Sequence, residues 1–484
     1  MTRARPLRIA VAIFSSTLVA SCAVGPNFHQ PLAPANASYT PTPVISTRAP
    51  VSLIAGGAQS FSADTAIEKN WWTLFHSPEL NALIAQALKA NSDLAFARAA
   101  LKVAQENYKA QRGILYPQVD ASANSSRNKS SQYLSPVLNQ TVFDYSLQTA
   151  QVNVGYTLDL FGGNRRTIEA AKAEAESQRF QTEAAQITLA SNVAAAAFQE
   201  ASLRGQVVAQ QRVIALEEDT LRIAQHQLAK GQIAGADVLT QEAALAQARV
   251  ALPPLQKALA LQQDLLAYLT GRTPGEGAVK GIDLATLTLP QHLPLSLPSQ
   301  LVRQRPDIRA AEEILHAESA EVGVAIANRF PNITLNASAG GASSGWSSLL
   351  SALNSFWSIG AGITQPIFQG GALLHKQRAA KAAYEQADAQ YRSTVLAAFQ
   401  NVADTLHALQ SDADELDAAQ ASQKSAEASF KVTQYQYSKG QVPFLNVLSA
   451  EQTLRQAEAV LVQAQTARFA DTAALYQALG GGWW

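Results

Sequence analysis

The chain has 484 residues, in which 37 Lys and Arg balance 37 Asp and Glu, so no bulk charge draws it to nucleic acid. Apolar residues make up 47%, yet much of that is alanine and aromatics reach only 7%, which favours extended helix packing over an aromatic-filled core. A single cysteine, Cys22, excludes an internal disulfide.

Residues 1–21 read as an export signal. Arg3, Arg5 and Arg8 form a positive start, and Ile9 to Ala20 is apolar but too short to span a membrane as a helix. Val19-Ala20-Ser21-Cys22 resembles the lipobox of bacterial lipoproteins. That resemblance implies cleavage before Cys22, with a diacylglycerol thioether on its sulfur and an N-acyl chain. These lipids are the only attached groups expected; no cofactor is. Ala23, rather than Asp, follows the cysteine and favours the outer membrane. Residues 22–77 are expected to form the lipid anchor and an N-terminal periplasmic segment.

The remainder is duplicated, with a first repeat over 78–271 and a second over 299–480. Asp93 corresponds to Asp307 and Pro117 to Pro331, both at a separation of 214. Lys230-Gly231-Gln232 corresponds to Lys439-Gly440-Gln441, 209 residues on, and Gly271 to Gly480 at the same separation. Residues 272–298, rich in Pro and Gly, read as a linker, and 481–484 as a tail. Each repeat has the order helix, strand pair, very long helix, break, helix.

The strand signals alternate with period two. Val152, Val154, Tyr156 and Leu158 share one face, opposite Gln151, Asn153, Gly155 and Thr157. Ile333, Leu335 and Ala337 oppose Asn332, Thr334 and Asn336, and Trp357, Ile359, Ala361 and Ile363 form a fourth apolar row. Such strands suit a transmembrane barrel with a wet lumen, but a membrane barrel needs about eight strands or more, so four require oligomerisation. Three copies would supply twelve. The helices over about 166–230 and 372–438 would each extend roughly 100 Å. Val238, Leu245, Leu252, Leu259 and Leu266 recur every seventh residue, as do Val447, Leu454 and Leu461. Pro253-Pro254 should kink its helix.

Several collinear motifs carry a family resemblance. "CAVGPNFHQP" (22–31), "LDLFGGNRR" (158–166), "RPDIRAAE" (305–312), "TQPIFQGG" (364–371) and the terminal "ALGGGW" resemble the TolC/OprM-type outer-membrane factors, in their lipoprotein, NodT-like branch. The resemblance implies a mixed α+β fold, mainly long α-helices. It implies a homotrimer with a twelve-stranded transmembrane β-barrel, four strands per chain, continued by a periplasmic α-helical barrel. It implies a passive exit duct for small toxic compounds, as in antibiotic resistance. The expected partners are a periplasmic adaptor and an inner-membrane pump of the resistance-nodulation-division class. Type I protein secretion is the alternative within the family; a lipid-anchored coiled-coil spacer or adhesin is the alternative outside it.

At the two breaks, Gly231 and Gly440 suit the left-handed position that ends a helix. Val238, Leu239, Val447 and Leu448 restart the apolar seam. The resemblance makes these residues, with Gln232 and Gln441, the adaptor-docking tips, and makes Asp237 and Tyr437 a latch pair at the periplasmic gate. Asn446 and Ser449 stand where relatives often carry Asp, so the expected gate relies on neutral hydrogen bonds and on apolar Phe444 and Leu445. No catalytic constellation or metal-ligand spacing emerges among the seven histidines. Arg165 and Arg166 read as solvated at a strand-to-helix bend. Glu217-Glu218 and Glu312-Glu313 read as solvated helix faces.

Overall fold

The computed structural model describes residues 23–33, 38–48, 55–62, 67–129, 144–277 and 280–483. The export signal, Cys22, loop 130–143 and linker residues 278–279 lie outside the described residues. The main elements are α1 (Pro78–Ala90), α2 (Ser92–Arg112), β1 (Gln118–Lys129), β2 (Asp144–Leu158), α3 (Gly163–Ala229), α4 (Gly235–Leu269), α5 (Pro298–Gln304), α6 (Pro306–Ala327), β3 (Asn332–Ser343), β4 (Ser355–Thr364), α7 (Ala372–Ser438) and α8 (Phe444–Ala478).

The duplication extends to element lengths. Helices α3 and α7 each have 67 residues, α4 and α8 each have 35, and β1 and β3 each have 12. At about 1.5 Å per residue, α3 and α7 are each roughly 100 Å long. No described helix is long and apolar enough to cross a membrane. Helix α4 runs on through Pro253 and Pro254. Both prolines are exposed.

Strands β1 to β4 form one antiparallel sheet in the order β1-β2-β3-β4, so the two halves of the chain meet at β2 and β3. The register aligns the apolar positions across the whole sheet. Val119, Val154, Ala337 and Ile359 lie in one row; Ala121, Val152, Ala339 and Trp357 lie in another. Toward the other end come Tyr156, Leu335 and Ala361, then Leu158, Ile333 and Ile363. The alternate rows are polar or small: Asp120, Asn153, Ser338 and Ser358, with Gln118, Gly155, Asn336 and Gly360 beside them. A one-residue slip at any pair would mix the faces, so the pattern fixes the register. Trp357, Ile359 and Ile363 are 76%, 79% and 70% exposed. Among the described residues, β1 and β4 each keep one unpaired edge.

Contacts divide the chain into two compact units. The first comprises the described residues 23–31 with Ala100–Gln178 and Ala310–Arg392, and it holds the sheet. There α3 and α6 pack through Ala170, Ala173, Ala317 and Ala320, none more than 4% exposed. Small side chains let the helix backbones come close, and Ser177 Oγ donates to Ala310 O at 3.0 Å.

The second unit comprises Leu32–Ala99, Arg179–Arg309 and Ser393–Trp484. Its centre adds a local aromatic cluster to the extended helix packing that composition suggests. Trp71 stacks on Tyr476 at 5.2 Å, and Phe75 meets Phe198 at 5.2 Å and Phe469 at 6.1 Å. All five are essentially buried. The linker also has a partner: His292–Pro294 pairs in parallel with Ser60–Ser62.

Candidate functional site

The two hairpin tips close by the same backbone device. Gly231 (φ +67°) and Gly440 (φ +68°) donate their N–H groups to Leu228 O and Tyr437 O, both at 2.8 Å. The next residues, Gln232 and Gln441, donate to Gln227 O and Gln436 O at 2.9 and 3.0 Å. This is the paired bonding of a Schellman motif, which satisfies the last carbonyls of α3 and α7. A Cβ built on either glycine would meet nothing within 4 Å, so the left-handed φ alone accounts for glycine here.

The tips differ in what they present. Val238 and Val447 are both buried, and so is Leu448, whereas its counterpart Leu239 is 66% exposed. Leu445 is 56% exposed, Asn446 is exposed and Phe444 half-buried. Gly231, Gln232, Gly440 and Gln441 all face solvent.

Asp237 Oδ2 accepts the Ala234 N–H at 3.0 Å, capping the start of α4, where a carboxylate also suits the helix dipole. The Tyr437 ring lies edge-on to Phe444 at 5.1 Å. Within one chain, no described hydrogen bond joins Asp237 to Tyr437.

Further from the tips, two acid pairs depart from expectation. Glu217 is buried, and Gln241 Nε2 donates to its Oε2 at 2.5 Å. Burial, with the charge of Glu451 nearby, pushes this carboxyl above the usual range. Glu218 alone is solvated, paired with Arg249 at 2.7 Å. Glu312 is also buried, accepting from Gln30 Nε2 at 3.2 Å, and Glu313 is partly shielded beside His316.

That second departure belongs to a strap formed by residues 23–31. Val24 N–H donates to Phe161 O at 3.0 Å, and Phe28 stacks on His316 at 4.5 Å. Gly25 has φ +98°, and a Cβ there would lie 2.5 Å from Gly323 Cα, so both glycines permit the crossing. Arg166, expected in solvent, is buried beneath the strap. It donates to Asn27 Oδ1 and Glu169 Oε2, both at 2.7 Å, and to Val24 O at 3.4 Å. Arg165 stays more open and pairs with Asp159 at 3.2 Å.

Sequence reading also missed what "RPDI" does. Arg305 grips Asp307 through two nitrogens at 2.9–3.1 Å and donates Nη1 to Ala478 O at 2.9 Å and Ala398 O at 3.2 Å. It thereby ties the start of α6 to α7 and to the end of α8. Its counterpart in the first repeat, Asn91, donates to Leu269 O at 3.1 Å and accepts from Leu94 N–H at 2.9 Å. Leu269 and Ala478 are themselves repeat equivalents, each just before a left-handed glycine, Gly271 or Gly480. The signal was available in the 214 and 209 separations, but only contacts show that the two positions share a task.

No described group of three or more His, Cys, Asp or Glu residues has metal-holding geometry. The described residues offer a four-stranded sheet with an apolar face, long helices and two capped tips. Comparison with known proteins agrees. The family model "Outer membrane efflux protein" matches residues 83–272 and 297–481. The chain is 28% identical over 479 residues to the probable efflux pump outer membrane protein TtgC of Pseudomonas putida, covering 99% of this chain and 96% of that one. It is 30% identical over 432 residues to the pyoverdine export outer membrane protein OpmQ of Pseudomonas aeruginosa, covering 87% and 89%. The solved outer-membrane channel OprN superposes with a TM-score of 0.83 at 28% identity, covering 96% of this chain and all of that one. The protein therefore belongs to the outer membrane efflux protein family and is a channel of bacterial efflux systems rather than an enzyme.

Proposed function

We propose that three copies assemble into one outer-membrane duct, closing a twelve-stranded barrel by pairing β4 of each copy with β1 of the next. The observation that carries this is the four-stranded sheet with an apolar face in full register and two unpaired edges. In hydrocarbon each unpaired backbone group costs several kcal/mol, so an open sheet cannot remain there. Closure against neighbouring copies removes both edges. Purified in detergent, the protein should have the mass of three chains by native mass spectrometry; a stable monomer or dimer would overturn the assembly.

The duct is passive and takes its compounds from an inner-membrane pump through a periplasmic adaptor. The exposed tip residues Gly231, Gln232, Leu239, Gly440 and Gln441 are the adaptor-facing surface, seated on buried Val238, Val447 and Leu448. At the gate, Asp237 of one copy would meet Tyr437 of its neighbour, with Phe444, Leu445 and Asn446 lining a neutral constriction. The cap that Asp237 already makes leaves its second carboxylate oxygen free for such a bond. Asp237→Ala combined with Tyr437→Phe should raise the open probability of single channels in planar bilayers. If the double variant closes as often as the native protein, the latch is wrong.

Cys22 is the proposed lipid anchor, and the strap over Arg166 supports it by holding residues 23–31 against α3 and α6. Two or more acyl chains give the stable attachment that one does not. Mass spectrometry of the mature N-terminal peptide should show Cys22 as its first residue, carrying diacylglycerol and an N-acyl chain. An unmodified cysteine would exclude the anchor. The relatives' names cover general efflux and pyoverdine export at similar identity, so the cargo is set by the pump rather than by this wall.

A further inference from the structure

The second compact unit buries a guanidinium with too few partners. Arg468 on α8 is 0% exposed. Its Nη2 donates to Gly57 O at 2.6 Å and Thr47 Oγ1 at 3.1 Å, while Nε and Nη1 meet no acceptor. Facing it from α7 is Asp412, 8% exposed, whose Oδ2 is also without a donor. Asp471, also on α8, brings a second carboxyl against that of Asp412.

Two carboxylates have no proton to share, so this contact forms only when one of them is protonated. The charges then balance: one proton on the pair and one on the guanidinium leave the cluster neutral. With both acids ionised, a net negative charge would be buried there, at a cost of several kcal/mol. Glu415, one turn along α7, adds to the negative field at Asp412. In the N-terminal segment, residues 55–62 carry no charge, and Arg48, beside Thr47, is exposed and pairs instead with Asp414 at 3.8 Å.

We propose that Asp412, Asp471 and Arg468 form a one-proton lock that fastens α7 to α8 and, through Arg468, fastens both to the N-terminal segment at Thr47 and Gly57. It lies within one chain and does not depend on how copies assemble. Because α7 and α8 form the second hairpin, the lock sets how firmly that hairpin is held well away from its tip. Burial and the neighbouring carboxylate push Asp412 up to about 7 and raise Asp471 as well. The pair titrates as a unit. An acid whose folded value lies above its unfolded value of about 4 holds a proton in the fold that the unfolded chain releases. The lock is therefore at full strength in acid and weakens as pH rises from about 4 to about 7, beyond which it is lost.

Hydrogen–deuterium exchange on the intact native protein, corrected for intrinsic rates, tests this between about pH 5 and about pH 8. Peptides containing Asp412 and Asp471 should lose protection by up to about tenfold per pH unit inside the window, then level off. Asp412→Asn and Asp471→Asn each remove one of the two carboxyls that share the proton, leaving burial as the main remaining cause of any shift, so both variants should show a clearly shallower profile. Infrared spectroscopy of the native protein supplies an independent reading: a protonated-carboxyl band at acid pH that fades through neutrality, and that fades at lower pH in both variants. Flat protection in the native protein, or the same pH slope in the variants, would overturn the lock; so would the lack of that band.

Discussion

Val152→Arg is expected to abolish the membrane-inserted form of this protein, whereas Asn153→Arg one residue along should leave it intact. Val152 lies within β2, in a row with Ala121, Ala339 and Trp357. In the proposed barrel that row faces lipid, where an arginine near the bilayer midplane costs about 2–4 kcal/mol per chain. Three copies carry the substitution, so the penalty is paid three times in one assembly. Asn153 sits in the row with Asp120, Ser338 and Ser358, the face assigned to the wet lumen, where an added guanidinium keeps its hydration. Membrane fractionation with native gels separates the outcomes. Equal tolerance at both positions would mean that the apolar face does not contact lipid.

The second large effect is expected at Arg305. Truncation to alanine removes the side-chain bonds to Ala478 O and Ala398 O and frees Asp307, which is exposed enough for water to replace part of the loss. A cost of about 3 kcal/mol follows from the buried charge-assisted bonds. Asn91→Ala at the equivalent place should cost less, about 1–2 kcal/mol, because it removes a neutral cap. Thermal unfolding of the two variants measures the difference. Equal and small shifts would show that the hub contributes little and that the aromatic cluster around Trp71 and Phe75 holds the unit alone.

The features legible in the sequence were those written locally. Glycine followed by glutamine at both breaks, the strict alternation from Val152 to Leu158, and the constant separations between repeats needed no partner to be seen. Burial of polar groups was not legible in the same way. Arg166 looks solvated until residues 23–31 lie over it, and Glu312 until Gln30 reaches it. Glu217 follows the same pattern, since Gln241 comes from the returning helix. The parallel pairing of Ser60–Ser62 with His292–Pro294 joins segments some 230 residues apart and too short to show a period. Composition pointed to extended helix packing, as α3 and α7 have, but a low aromatic fraction does not tell that five rings gather in one place. At the tips, the left-handed glycines followed from sequence, but the contrast between buried Leu448 and exposed Leu239 did not.

Conduction is the defining property of a duct, and single-channel recording of the purified protein in planar bilayers tests it most directly. The native protein should give discrete conductance steps, and the Asp237→Ala, Tyr437→Phe variant should dwell longer in the open level. Silence from both proteins, with each present at the mass of three chains, would contradict the duct.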